Sequence, residues 1–108
     1  MSAMYYELSA SLLKALAHPT RIQILERLKN EENLCVCHIY EDLELEQSNV
    51  SQHLKILKDK GILNSRKEGL QVLYSVRYRE IYKILDLVKD ILAKQLEEAH
   101  EQLGIKKK

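Results

Sequence analysis

The chain has 108 residues, of which 45% are hydrophobic and 31% charged, and its formal net charge is +1. This length provides for one domain, spanning 1–108, and the composition is that of an ordered, helix-rich globular protein, which excludes a disordered tail. No segment approaches the roughly 20 consecutive apolar residues of a membrane span, and the N-terminus lacks a basic region followed by an apolar run. We therefore expect a cytoplasmic protein with no membrane partner.

Apolar residues recur three or four positions apart in five segments, and this spacing predicts five helices. Pro19 suits the first turn of the second helix, and Gly61 ends the fourth. The last helix would be about 40 Å long, which is more than the core of so small a domain can cover, so part of its apolar stripe should face another chain. The predicted helices cover 4–17, 19–30, 35–43, 47–60 and 77–103.

Between the fourth and fifth helices the period changes. The segments "ILNSRK" and "QVLYSV" are short and prone to form strands, and Gly69 lies between them as a turn residue. The sequence therefore predicts a two-stranded β-hairpin.

Charge is unevenly distributed along the chain. From Glu26 to Glu46 seven acidic residues face two basic ones, a local balance of −5, whereas from Gln47 to Arg79 seven basic residues face two acidic ones, a balance of +5. Such segregation lets one face attract phosphate although the whole molecule is nearly neutral.

Two short helices joined by a tight turn, with a basic hairpin after the second, form a winged helix-turn-helix. Helix 47–60 would read DNA, because Val50, Leu54 and Leu57 point its apolar stripe inward and its N-terminal polar residues outward. Gln and Ser suit base edges, and Lys and Arg suit phosphates. His53 lies at the edge of this face, where both phosphate contact and partial burial are open. The candidate DNA-binding residues are Gln47, Ser48, Ser51, Gln52, His53, Lys55, Lys58, Arg66 and Lys67.

Four motifs, which follow one another in the same order as in a known family, together extend over most of the chain. They are "LKALAHPTRIQILERL", "LCVC", "QSNVSQHLKILKDKGIL" and "RKEGLQVLYSV". They resemble the ArsR/SmtB family of metal-responsive repressors, in particular its arsenic-responsive branch. The resemblance implies a mainly α, α/β winged helix-turn-helix fold with a two-stranded wing, and a homodimer built through the first and last helices. It further implies a repressor without enzymatic activity or a required cofactor, released from palindromic double-stranded operator DNA by an inducer.

Both cysteines of the chain, Cys35 and Cys37, lie at the predicted start of the third helix. Thiolates are soft ligands for As(III), Sb(III) and other soft metals. In a regular helix, residues i and i+2 point about 200° apart, so the two thiols could share an ion only if the helix unwound. This helix supports the reading helix, and the expected mechanism is therefore derepression by helix distortion, with As(III) or Sb(III) as inducer.

The third ligand of such a site is open. Arsenic-responsive relatives have a third cysteine where this chain has Tyr40, so the missing ligand could be His38, water, a small thiol, or nothing. Cadmium- and lead-responsive relatives add cysteines near the N-terminus, which this chain lacks there. The last helix offers Asp86, Asp90 and His100 without the spacing of the zinc- or nickel-responsive sites, and we expect no site there.

Four alternatives remain open from the sequence. The thiols could form a redox or persulfide switch, although a C-x-C disulfide closes a strained ring, or they could be small apolar residues with no sensing role. The protein could instead be a small thiol carrier or oxidoreductase, or a winged helix that binds protein rather than DNA.

Overall fold

The computed structural model describes residues 2–104, which form a three-stranded sheet and five helices. The helices are α1 (Ala3–Leu16), α2 (Pro19–Asn30), α3 (Val36–Leu43), α4 (Gln47–Asp59) and α5 (Glu80–Gln102). The strands are β1 (Leu34–Cys35), β2 (Leu63–Glu68) and β3 (Gln71–Val76). The predicted winged helix-turn-helix with five helices is confirmed, and its elements follow the predicted order.

The predicted hairpin, which forms the wing, is present as β2 and β3, and the sheet contains one strand more than predicted. All pairs are antiparallel and the sheet order is β1-β3-β2, so the two-residue β1 lies beside the hairpin, with Leu34 opposite Tyr74 and Cys35 opposite Leu73. So short a strand cannot show an alternating pattern, which is why the sequence did not reveal it. The hairpin itself turns at Gly69, whose φ of +64° lies in the left-handed region that glycine adopts without strain.

Local sequence explains where the helices begin and end. His18 caps α2, because its Nδ1 accepts a hydrogen bond from the Thr20 N–H at 3.1 Å, and Pro19 follows as the first helical residue. At the end of the reading segment, Gly61 follows α4 with a φ of +75°. The last helix begins at Glu80 rather than at the predicted residue 77.

The core lies where α2, α3 and α4 meet under the sheet. The predicted inward stripe of α4 is confirmed, since Val50, Leu54 and Leu57 are fully buried. By contrast, α1 and the C-terminal half of α5 leave most of their apolar side chains exposed. No helix within the described part of the chain combines the length and hydropathy that crossing a membrane requires. The other fully buried helical side chains are Ile24, Leu25 and Leu28 of α2 and Ile39 of α3.

Candidate nucleic-acid interface and thiol site

The outward face of α4 carries the polar side chains predicted to read DNA. Because Val50, Leu54 and Leu57 anchor one side of the helix in the core, the opposite side is held at the surface. Lys55 forms an ion pair with Asp59 one turn away, at 3.1 Å, so a DNA phosphate would have to compete with that carboxylate. The exposed residues of this face are Gln47, Ser48, Ser51, Gln52, Lys55 and Lys58.

His53 does not belong to this face. Only 9% of its surface is exposed, and its Nδ1 accepts a hydrogen bond from the Nε–H of Arg21 at 3.1 Å. Its ring also lies against that of His18, with 4.3 Å between the ring centroids. Of the two possibilities that the sequence left open for His53, the structure shows burial, and the placement of this residue among the DNA contacts is corrected.

The wing presents its two candidate basic residues to solvent. Arg66 and Lys67 lie on β2 and both are exposed. Arg66 forms a surface ion pair with Glu68 at 3.1 Å, and exposed pairs of this kind are weak enough to be exchanged for a phosphate. α4 and the wing therefore hold the predicted basic and polar residues at the surface, where contacts to a groove and to phosphates would require them.

The two cysteines lie at the junction of β1 and α3 and are joined as a disulfide, with 5.4 Å between their Cα atoms. Cys35 is buried and Cys37 half-buried. The Cys35 Sγ also accepts a hydrogen bond from the His38 N–H at 3.4 Å, and the His38 Nδ1 lies 3.3 Å from the same sulfur. The potential ligand atoms of Cys35, Cys37 and His38 all lie within 4.8 Å of one another.

This geometry corrects the expected mechanism of helix unwinding. That expectation treated both cysteines as helical, but Cys35 is the N-cap of α3 and has the extended backbone angles φ −74° and ψ 161°. An extended residue directly before a helix can turn its side chain toward the first turn, as N-cap residues do. The two sulfurs therefore meet without any loss of helix.

Tyr40 occupies the position where the resemblance implies a third cysteine in arsenic-responsive repressors, and its surroundings are those of a packing residue. It is half-buried and packs against the hydrophobic core from the helix that follows the thiols. On α5, Asp86 forms an ion pair with Lys29. Within residues 2–104, the only group of three or more possible metal ligands is the cluster of Cys35, Cys37 and His38.

Two features of the structure were not predicted from the sequence. The first is the pairing of Cys35 with Leu73, which places a thiol in the same sheet as the wing. The second is the polar cluster of His18, Arg21 and His53, which joins the start of α2 to the middle of α4. The separation of 32 residues between Arg21 and His53 leaves no periodic trace in the sequence.

Residues 18–65 match the family model described as "Bacterial regulatory protein, arsR family". The transcriptional repressor PagR of Bacillus anthracis is 38% identical over 88 residues, which is 82% of this chain and 88% of PagR. The chain belongs to the arsR family. The residues matched by the family model begin at the cap of α2 and extend into β2, so they include the reading helix and the thiol pair.

Solved structures agree with this arsR-family assignment. The crystal structure of Rv0081 from Mycobacterium tuberculosis is similar with a TM-score of 0.79 at 35% identity, covering 91% of this chain and 98% of that one. The homodimeric winged helix-turn-helix domain of Mb0332 from Mycobacterium bovis has a TM-score of 0.78 at 28% identity, covering 89% and 88%. The family is one of DNA-binding transcriptional regulators, not enzymes, which leaves the thiol oxidoreductase alternative without support.

Proposed function

We propose that this arsR-family protein is a cytoplasmic, homodimeric repressor that leaves its operator when a thiophilic inducer, As(III) or Sb(III) before other soft metals, binds Cys35 and Cys37. The observation that carries the proposal is the cluster of two cysteine sulfurs and one imidazole within 4.8 Å, which become two thiols and an imidazole when the disulfide is reduced. The cluster lies on α3 and β1, which contact the reading helix and the wing. One ion can bind both cysteines only if their sulfurs lie close together. Its binding can release DNA only if this cluster contacts the DNA-binding elements.

The DNA-binding part of the proposal rests on the exposed face of α4 and on the wing. A dimer would present two such faces, which matches a palindromic operator with half-sites about one helical turn apart. The exposed apolar residues of α1 and α5 supply a surface on which the second copy can pack. The polar and basic residues of the DNA-binding face are Gln47, Ser48, Ser51, Gln52, Lys55, Lys58, Arg66 and Lys67, all exposed.

The donor set fits a soft inducer. Thiolate sulfur is the ligand that soft ions prefer, and binding requires that both thiols be reduced and deprotonated. Cys35 and Cys37 would hold the ion, and His38 is the third candidate ligand because its Nδ1 already lies 3.3 Å from the Cys35 sulfur. The disulfide would first have to be reduced, and the bound ion would then bridge the two sulfurs.

Two contacts of Cys35 suggest how occupation could reach the DNA-binding elements. Its sulfur caps the first turn of α3 by accepting a hydrogen bond from the His38 N–H. A sulfur bound to an inducer would accept that hydrogen bond less well. Its backbone lies opposite Leu73 in the sheet of the wing. Allosteric coupling free energies are typically about 1–3 kcal/mol, and the loss or strain of one cap and one strand pair is of that order.

A second candidate function is a redox switch, and the disulfide between Cys35 and Cys37 is the observation that favours it. Their Cα separation of 5.4 Å lies within the range of about 4.4–6.8 Å found in ordinary disulfides. The oxidant would be a hydroperoxide: one thiolate attacks it and releases water or an alcohol, and the second thiolate displaces hydroxide from the sulfenic acid to form the disulfide. In this alternative the bond, rather than an ion, would lower DNA affinity.

The test is DNA binding by the fully reduced protein, measured by fluorescence anisotropy on DNA from upstream of its own gene. Titrations with arsenite, antimonite, Cd(II) and Zn(II) are compared with a titration by hydrogen peroxide in the absence of metal. The proposal expects arsenite or antimonite to release the DNA, and it expects Cys35→Ser and Cys37→Ser each to abolish release without abolishing DNA binding.

Each proposed ligand needs a matched control. His38→Ala reports on the third ligand, and His100→Ala provides the same change at an exposed position on α5. If the reduced wild type remains bound with every metal or metalloid but is released by peroxide, the redox alternative replaces the metalloid proposal. A protein that binds none of the upstream DNA would exclude both.

A further inference from the structure

A single guanidinium connects three helical segments behind the reading helix. The Arg21 Nε–H donates to the His53 Nδ1 at 3.1 Å, and its Nη1–H donates to the backbone carbonyl of Ala15 at 3.2 Å. Arg21 therefore joins the end of α1 and the start of α2 to the middle of α4. Both contacts are partly buried, so they are less screened by solvent than a surface pair.

His53 occupies a position in α4 from which it can set the pose of the reading face. It follows Gln52, an exposed candidate base contact, and it points into the protein, where only 9% of its surface is exposed. The His18 ring lies against it at 4.3 Å between centroids. A change in the packing of His53 would therefore rotate or shift the residues that face DNA.

The hydrogen bond from Arg21 is possible in only one protonation state of the His53 ring. The Nδ1 atom accepts the hydrogen bond from Arg21, so it must carry no proton itself. A protonated ring would turn an N–H and a positive charge toward the guanidinium. Burial lowers the pKa of His53 below its ordinary value of 6.5, and the charges of His18 and Arg21 lower it further.

The groups that act on the ring come from the elements packed around α4. His18 belongs to the α1–α2 junction and Arg21 to α2, and both oppose protonation by lowering the pKa of His53. Among the described residues of α1, α3 and β2, no titratable side chain is a cause of this pKa shift. None of the groups that act on the His53 ring would therefore stabilise its protonated form in the buried position.

We propose that Arg21 is a positioning residue of the DNA-reading helix, that it acts through His53, and that this contact makes DNA binding sensitive to acid. The inference rests on the proposed function only in using α4 as the DNA reader; it is independent of the thiol pair and of any inducer. The contact is intact above the ordinary pKa of histidine, and it is lost as the pH falls below 6.5 and through the lowered pKa of His53.

The experiment measures DNA affinity of the reduced protein, without inducer and at constant ionic strength, at two pH values. The higher lies one unit above the ordinary pKa of 6.5, and the lower is the most acidic pH at which circular dichroism shows the wild type still folded, because the pKa of His53 is lowered. His53→Asn is the decisive variant, because an amide oxygen can accept the Arg21 hydrogen bond at the position of Nδ1 but cannot be protonated. Arg21→Met removes the donor and its charge. His100→Asn is the matched control, since His100 is exposed on α5.

The wild type and the His100→Asn control should each lose at least about fivefold in affinity between the higher and the lower pH, the lower end of the usual coupling between two sites. His53→Asn should lose much less and should bind more tightly than the wild type at the lower pH, which a residue with only a structural role would not do. Arg21→Met should bind at least about fivefold more weakly at the higher pH and show little further loss in acid, because the contact is already absent. Circular dichroism at both pH values checks that each variant is folded.

Equal affinity of the wild type at the two pH values would overturn the inference, and so would a pH dependence in His53→Asn as large as that of the wild type. If Arg21→Met does not fold, the comparison of His53→Asn with the wild type still decides. Absence of DNA binding at the higher pH would overturn the proposed function together with this inference, whereas binding without loss in acid overturns this inference alone.

Discussion

Cys35 and Leu73 lie opposite each other in the antiparallel pairing of β1 with β3. Leu73 is in turn opposite Arg66 on β2, so one line of paired residues runs from a candidate inducer ligand to a candidate DNA contact. Strands in a sheet lie about 4.8 Å apart, so about 10 Å and one intervening strand separate Cys35 from Arg66, and a displacement of β1 would have a short path to the wing. This link does not require α3 to unwind.

A fluorescent probe in the wing should detect inducer binding at the thiols. The chain contains no Trp, so Leu70→Trp at the exposed turn of the wing adds a single reporter. We expect its emission to change when arsenite is added to the reduced protein, because β1 and the wing share a sheet. The change should disappear when Cys35→Ser is combined with Leu70→Trp.

Leu103→Trp serves as the control probe, because Leu103 is exposed at the far end of α5. Its emission should not respond to arsenite. An equal response from both probes would indicate a change of the whole molecule rather than coupling through the sheet, and no response from the wing probe in a protein that binds arsenite would contradict the coupling.

The sequence was sufficient to predict the winged helix because its evidence is periodic. Val50, Leu54 and Leu57 repeat at helical spacing over one continuous segment, and the structure buries all three completely. Gly69 marks the hairpin in the same local way. Such features depend on residues that are only a few positions apart in the chain, so they can be recognised from the sequence alone.

The candidate sites were harder to predict because they depend on tertiary pairing. The helical rule placed Cys35 and Cys37 on opposite sides, and it failed because pairing with β3 keeps Cys35 extended as the cap of α3. His53 fitted the edge of the reading face, but its burial depends on Arg21 and His18, which are distant from it in sequence. Neither contact can be read from local spacing.

Lys58 should contribute to DNA affinity through charge rather than through sequence recognition. It is exposed on α4, and phosphate contacts release counterions, so Lys58→Ala should reduce the slope of log affinity against log salt by about 1. The measurement is an anisotropy titration at several salt concentrations, with specific and unrelated DNA. Lys83→Ala, an equivalent change on α5, should leave the slope as it is; a loss confined to the specific DNA would instead indicate base contact.

Leu54 should be a large contributor to stability, because it is fully buried between α4 and the other core helices. Leu54→Ala should lower the free energy of unfolding by about 2–5 kcal/mol, as buried leucines generally do. Urea unfolding at one fixed protein concentration measures the change, since dimerisation makes stability depend on concentration. Leu70→Ala removes the same atoms from an exposed position and should change the free energy by less than about 0.5 kcal/mol. Similar losses in both variants would contradict the described core.

Leu92 should lie in the interface between two copies of the chain. It is 53% exposed in the single chain. Together with Val88 and Leu96, which are also exposed and lie four positions before and after it, it forms an apolar stripe along α5. Leu92→Glu would place an unpaired carboxylate in that apolar contact, and a penalty of about 3 kcal/mol corresponds to a dissociation constant raised about 100-fold. Sedimentation velocity over a range of concentrations measures this constant. Lys94→Glu places a carboxylate about 200° around the helix, away from the stripe, and should leave the dimer intact although it changes the net charge more, by −2 against −1. A Leu92→Glu protein that remains as dimeric as the wild type would show that the two copies meet elsewhere.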